Sequence, residues 1–152
     1  MRRAAILTVL TVVAVVVPVT SEIAAGDATV AAPFFVNFQA QTTTTPSGYV
    51  GDYGQAYDAT RGYGWVDTSG APLSLVGNGR ERTAASDKRL DTLVHMQLPP
   101  GSSGVSTQGA WRASVPNGTY SVTVAVGDPS YIDSHHLIHV EGVTAIDFTP
   151  ST

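Results

Sequence analysis

The stretch from Trp111 to Tyr131, WRASVPNGTYSVTVAVGDPSY, constrains the fold more than any other part of the chain. Trp111, Ala113 and Val115 alternate with other residues, and Tyr120, Val122, Val124 and Val126 alternate again after Pro116-Asn117-Gly118. A period of two places every second side chain on one face of a sheet. Each run therefore predicts a half-buried strand, and the glycine-containing turn between them predicts a β-hairpin. The second run leads into Gly127-Asp128-Pro129-Ser130-Tyr131, a turn that carries a carboxylate and an aromatic ring to a sheet edge.

Similar short patterns recur along the chain. Phe34, Val36 and Phe38 alternate with polar residues in the tract Pro33 to Ala40, and Leu90, Thr92, Val94 and Met96 share one side of the tract Leu90 to Leu98. Ser134 to Glu141 and Val143 to Phe148 read as two further short strands. Tyr49 to Trp65, YVGDYGQAYDATRGYGW, keeps neither a helical nor a strand period. Its four tyrosines set it apart from a flexible Gly/Ser linker and predict a long structured loop. Short strands separated by turn residues, without a convincing amphipathic helix or an internal repeat, predict an all-β sandwich.

At the N-terminus, Arg2 and Arg3 precede the apolar run Ala4 to Val19, and small residues follow it. That order predicts a secretory signal peptide over residues 1–25, cleaved after Ala25 or Ala28, with the domain over residues 26–152. The rival reading is a membrane anchor, but about 16 apolar residues fall short of the roughly 20 that a spanning helix needs. Export without a membrane anchor after cleavage is the expectation. The chain has no cysteine, so an exported domain of this length must rely on a hydrophobic core rather than disulfides. Once Arg2, Arg3 and Glu22 are set aside, six basic residues face eleven acidic ones. That balance argues against nucleic acid and anionic lipid as partners.

The tracts RLDTLVHMQ (Arg89 to Gln97), VPNGTYSVTV (Val115 to Val124), GDPSY (Gly127 to Tyr131) and HVEG (His139 to Gly142) resemble malectin-like domains of the galactose-binding fold. VNFQ (Val36 to Gln39) and YGW (Tyr63 to Trp65) add to the likeness, which spans roughly residues 34 to 148. The resemblance implies a jelly-roll β-sandwich whose loops at one end bind carbohydrate through tyrosines, another aromatic and an aspartate. It also implies two or three more strands after HVEG than the chain carries before Thr152. The sandwich is thus expected to be incomplete at its C-terminus, with an open edge that a partner strand or protein would cover.

Sugar rings present apolar C–H faces ringed by hydroxyls, so stacking aromatics flanked by carboxylates and amides suit them. Tyr53, Tyr57, Tyr63 and Trp65 supply rings in the glycine-rich tract, with Asp52, Gln55 and Asp58 as polar tips; Asp128 and Tyr131 join from the end of the hairpin. The competing reading folds these rings inward as a satellite core. Arg80, Arg82, Lys88 and Arg89 lie among Asp87 and Asp91, a pattern of structural ion pairs or of a site for an acidic sugar. His135 and His139 would be roughly 13 Å apart along a strand, too far for one zinc ion. Asp128 and Asp133 lack the dense acidic loop of a calcium motif. Nothing converges on a catalytic triad or dyad. The expectation is a secreted, non-catalytic carbohydrate-binding module without cofactor or metal; the alternative is a structural or adhesion module that contacts protein.

Overall fold

Strand-forming residues in this chain come in short runs, and the fold joins them in pairs. The computed structural model describes residues 11–20 and 26–150. Its strands are β1 (Thr11–Val19), β2 (Val36–Phe38), β3 (Val50–Asp52), β4 (Tyr63–Val66), β5 (Gly79–Glu81), β6 (Thr92–Val94), β7 (Ala110–Ala113), β8 (Gly118–Val126), β9 (His136–Val140) and β10 (Val143–Phe148). The single helical turn among the described residues, α1 (Lys88–Asp91), is capped by the Asp87 carboxylate, which accepts from Arg89 N at 3.0 Å. The protein is all-β, with almost no helix. Among the described residues no helix is long and apolar enough to cross a membrane.

Four pairs are antiparallel (β1–β8, β4–β7, β5–β6 and β9–β10), and β2–β3 is parallel. β9 and β10, read from the sequence as two short strands, form a hairpin. Its turn is Glu141-Gly142, with φ of 48° and 76°, the left-handed geometry that matches the twist of a two-residue hairpin. The ladder shifts register between Thr144 and Ile146, which inserts a bulge in β10.

The hairpin expected across Pro116-Asn117-Gly118 does not form. β7 pairs with β4, and β8 pairs with β1. The reason lies at the end of β7. Ser114 N donates to Gly62 O at 2.7 Å, and Ser114 O accepts from Val30 N at 2.8 Å, so the backbone leaving β7 is already held by the approach to β4. The tract Tyr49 to Trp65, expected to be one structured loop, holds β3 and the start of β4. Strands of three and four residues interrupted by glycine are too short to show a period.

Most of the segment expected to be a signal peptide, residues 1–10 and 21–25, lies outside the described residues. Thr11–Val19, which falls within that segment, forms β1 and is in register with Gly118–Val126 at all nine positions. A valine-rich run meets both demands: it is apolar enough for a leader, and its β-branched side chains suit a pleated sheet. Val17 is only 1% exposed.

The core joins Val17, Val19, Trp65, Val66, Leu75, Leu98 and Ile146 to an unusual number of buried polar side chains. These fasten loops where ladders are short. Asn78 donates to His95 O and Val105 O, both at 2.9 Å, and accepts from Val105 N at 2.8 Å. Asn37 donates to Gln39 Oε1 and Thr92 Oγ1, and Gln39 donates to Thr43 O. Each of these buried polar side chains has a hydrogen-bond partner, as burial favours; among the described residues the buried side-chain atom left without one is His136 Nε2.

Candidate functional site

The aromatic side chains divide between an inner cluster and an outer rim. Trp65 and Trp111 lie directly opposite each other on the β4–β7 pair, so they share a face. Both indole N–H groups donate to one carboxylate, that of Asp52 at the end of β3: Trp65 Nε1 to Oδ1 and Trp111 Nε1 to Oδ2, each at 2.9 Å. Phe38 meets both indoles edge-on, at 5.6 and 5.7 Å between ring centroids. Phe34 closes the cluster against Tyr63 at 5.2 Å and stacks on Trp111 at 6.3 Å.

Trp65 is therefore a core residue, 3% exposed, and not a ring offered to a ligand. An indole is the largest apolar side chain, and a buried carboxylate stands ready for its N–H, so the inward position satisfies both ends of it. Tyr63 is tied to the same cluster, with the Arg61 guanidinium 4.9 Å from its ring, and burial pushes its hydroxyl pKa up. Tyr57 is also engaged. Its hydroxyl donates to Asp27 Oδ2 at 2.7 Å and shares a hydrogen bond of 2.7 Å with Ser114 Oγ, while Arg112 lies over its ring at 4.6 Å. Tyr53 is half-buried, and its backbone N–H is bound to Gln55 Oε1.

Asp58 is exposed but caps its own turn. It accepts from the Thr60 hydroxyl and from the backbone N–H groups of Thr60 and Arg61, and these bonds, the Thr60 hydroxyl first, hold its carboxyl below the usual range.

Asp128 and Tyr131 lie in the turn after β8 and come together with Arg82, beyond the end of β5. The Arg82 guanidinium grips Asp128 with both arms: Nε lies at 3.0 Å from Oδ1, and a terminal nitrogen at 2.5 Å from Oδ2. Asp128 Oδ1 also accepts from Ser130 N at 2.9 Å, which closes the turn. The same guanidinium lies 4.7 Å from the centre of the Tyr131 ring, yet Tyr131 is 55% exposed. One face of the ring thus rests on a cation, itself held by a nearly buried carboxylate, while much of the ring meets solvent.

Arg82 carries this arrangement, and its role was not legible in the sequence. Its partner lies 46 residues away, whereas the acidic residues next to it in sequence pair elsewhere: Asp87 with Arg89, and Asp91 with Lys88. Asp91 is fully buried. Burial alone would raise its pKa, but donation from Ala85 N, Lys88 Nζ and Ala84 N outweighs that and holds it below the ordinary value.

Two histidines lie within electrostatic reach of Asp128. Burial depresses the pKa of His95 first, and Arg80 and Arg82 lower it further; burial and then His135 depress His136. Asp128 opposes both shifts without reversing them. Both imidazoles are neutral at pH 7. The remaining histidines have separate partners, His135 with Asp147 at 2.7 Å and His139 with Thr144 Oγ1 at 3.3 Å.

A histidine with a depressed pKa binds its proton more readily in the unfolded chain than in the folded one. The stability present above the unfolded value of about 6.5 is lost as pH falls from there through the lowered folded value. Thermal unfolding followed from pH 7.5 to 5 is expected to show Tm falling below about pH 6.5. His95→Gln should remove part of that slope, and a Tm flat across the range would refute the assignment.

No family model matches the chain, and neither a curated protein nor a solved structure is significantly similar to it. The chemistry of the site therefore rests on its geometry: an immobilised aromatic face, neutral imidazoles nearby, and charges that already satisfy one another.

Proposed function

We propose that the chain is an exported, non-catalytic carbohydrate-binding module of the jelly-roll kind, and that Tyr131 is its principal contact with the sugar. The observation that carries this reading is the exposed Tyr131 ring on the Arg82 guanidinium, with Arg82 locked by Asp128. A ring that keeps one orientation in water loses little freedom when a pyranose C–H face stacks on it. The guanidinium–carboxylate pair is internally neutral, which suits an uncharged partner better than an ionic one. Antiparallel pairing between segments distant in sequence, β4 with β7 and β1 with β8, supports a sandwich. The malectin-like tracts support the ligand class, and the leader pattern supports export.

This reading moves the contact away from the tract Tyr49 to Trp65. A glycan array followed by calorimetry on the best ligand tests it. Tyr131→Ala is expected to lower affinity about tenfold or more, equivalent to roughly 1.4 kcal/mol, whereas Tyr131→Phe, which keeps the stacking face, should retain most of it. Unchanged affinity in Tyr131→Ala would refute the site. The absence of any glycan retained by the unaltered chain would instead favour a protein-contacting adhesion module.

A further inference from the structure

β8 is the longest alternating strand that remains once β1 is excluded, and among the described residues its only ladder partner is β1. Tyr120, Val122, Val124 and Val126 lie on its more buried side, opposite Val17, Val15, Val13 and Thr11. Strands built to end a sheet in water carry a charge, a proline or a bulge that blocks further pairing. β8, GTYSVTVAV, carries no charge and no proline, and its register with β1 is unbroken over nine residues. β1 does carry such a feature, Pro18, which cannot donate a ladder hydrogen bond. β8 carries none of these blocks, and the cover on one of its two edges is β1, the segment whose sequence reads as a removable leader.

We propose that β8 is a strand-acceptor edge, covered by β1 in the full chain and by β8 of a second copy once β1 is removed. The proposal takes from the export reading only the event that removes β1. A second β8 fits because the strand is self-complementary when it runs antiparallel to itself about Val122. Tyr120 then faces Val124 of the other copy, Val122 faces Val122, and Val126 faces Gly118. The half-buried residues of both copies stay on one face, and the absence of charge removes like-charge repulsion. A two-fold axis through Val122 makes the contact isologous, so pairing through the edge that β1 vacates closes at two chains.

The test uses the full chain with a protease site inserted between Ala25 and Gly26. The uncut chain should be a monomer by light scattering. After cleavage and removal of the released peptide, the mass should double, and an excess of labelled peptide with the sequence Thr11–Val19 should return the protein to a monomer carrying one label. The double variant Ser121→Lys and Thr123→Lys alters exposed positions that face Val16 and Ala14 in the uncut chain, so that form should stay folded and monomeric. In a β8–β8 pair the same lysines lie directly opposite one another, and the cut variant should not dimerise. A cut chain that stays monomeric, whether or not it takes up the peptide, overturns the second copy as occupant. So does assembly beyond a dimer, or a dimer that the lysine pair leaves intact. The N-terminal mass of the exported protein separately decides whether β1 is removed in the cell, so failure of the export reading and failure of the acceptor edge are distinguishable.

Discussion

Asp52→Ala is expected to destabilise the protein by about 3–5 kcal/mol, one of the two largest effects that a single substitution should produce here. Asp52 is 1% exposed and accepts three hydrogen bonds: from Trp65 Nε1, from Trp111 Nε1 and from Gly54 N at 2.8 Å. Alanine leaves these donors without their acceptor in a buried or half-buried setting, and each unsatisfied buried donor costs about 1–3 kcal/mol. It also unpins the two indoles, which Asp52 holds at the centre of the aromatic cluster. Asp52→Asn keeps one carbonyl oxygen but turns an N–H₂ group toward an indole N–H, so it should fall between alanine and the parent. Urea unfolding monitored by tryptophan fluorescence reports both stability and the indole environment. A loss below about 1 kcal/mol for the alanine variant would show that the shared acceptor is not what holds the cluster.

Gly54→Ala is expected to cost at least about 3 kcal/mol, for two reasons that act together. Gly54 has φ of +97°, a conformation that L side chains rarely adopt, and a Cβ built there meets the Leu75 carbonyl and lies 2.8 Å from Val76 N. The obstructing atoms are backbone, and they cannot easily withdraw: Leu75 N donates to Gly54 O at 2.7 Å, and the Leu75 side chain is fully buried. Gly48→Ala separates the two causes. Gly48 also has a positive φ, +81°, but nothing lies within 4 Å of its Cβ position, so its loss should be limited to about 1–2 kcal/mol of conformational cost. Equal losses at the two sites, compared by thermal or chemical unfolding, would show that the approach of Leu75 contributes nothing.

Both effects centre on the β3–β4 tract, and together they explain why the aromatic residues there are poor candidates for ligand contact. The residues of Tyr49 to Trp65 mark a structured, ring-rich tract and are compatible with both an inward and an outward fold. What decided for Trp65 was a partner 46 residues further along the chain, Trp111, and a carboxylate that serves both indoles. Tyr131, the exposed ring among those expected to touch a ligand, is legible as part of a turn at a strand end. The guanidinium beneath it was not, because Arg82 sits among nearer acidic residues that would have been equally plausible partners.

The strand character of the chain follows from its residue pattern alone. Alternation marked β8, and short apolar runs bounded by turn residues marked β9 and β10 within a residue or two of their ends. The absence of cysteine, read directly from the residues, excludes thiol chemistry. These are local properties, set by side-chain spacing and by residue types a few positions apart. That β8 lies against β1 rather than β7, that Trp65 faces Asp52, and that Arg82 reaches Asp128 emerge from long-range packing. A period of two says which face of a strand is buried but is the same for every partner that could bury it. The choice among partners depends on hydrogen bonds and volumes contributed by residues far away in the chain.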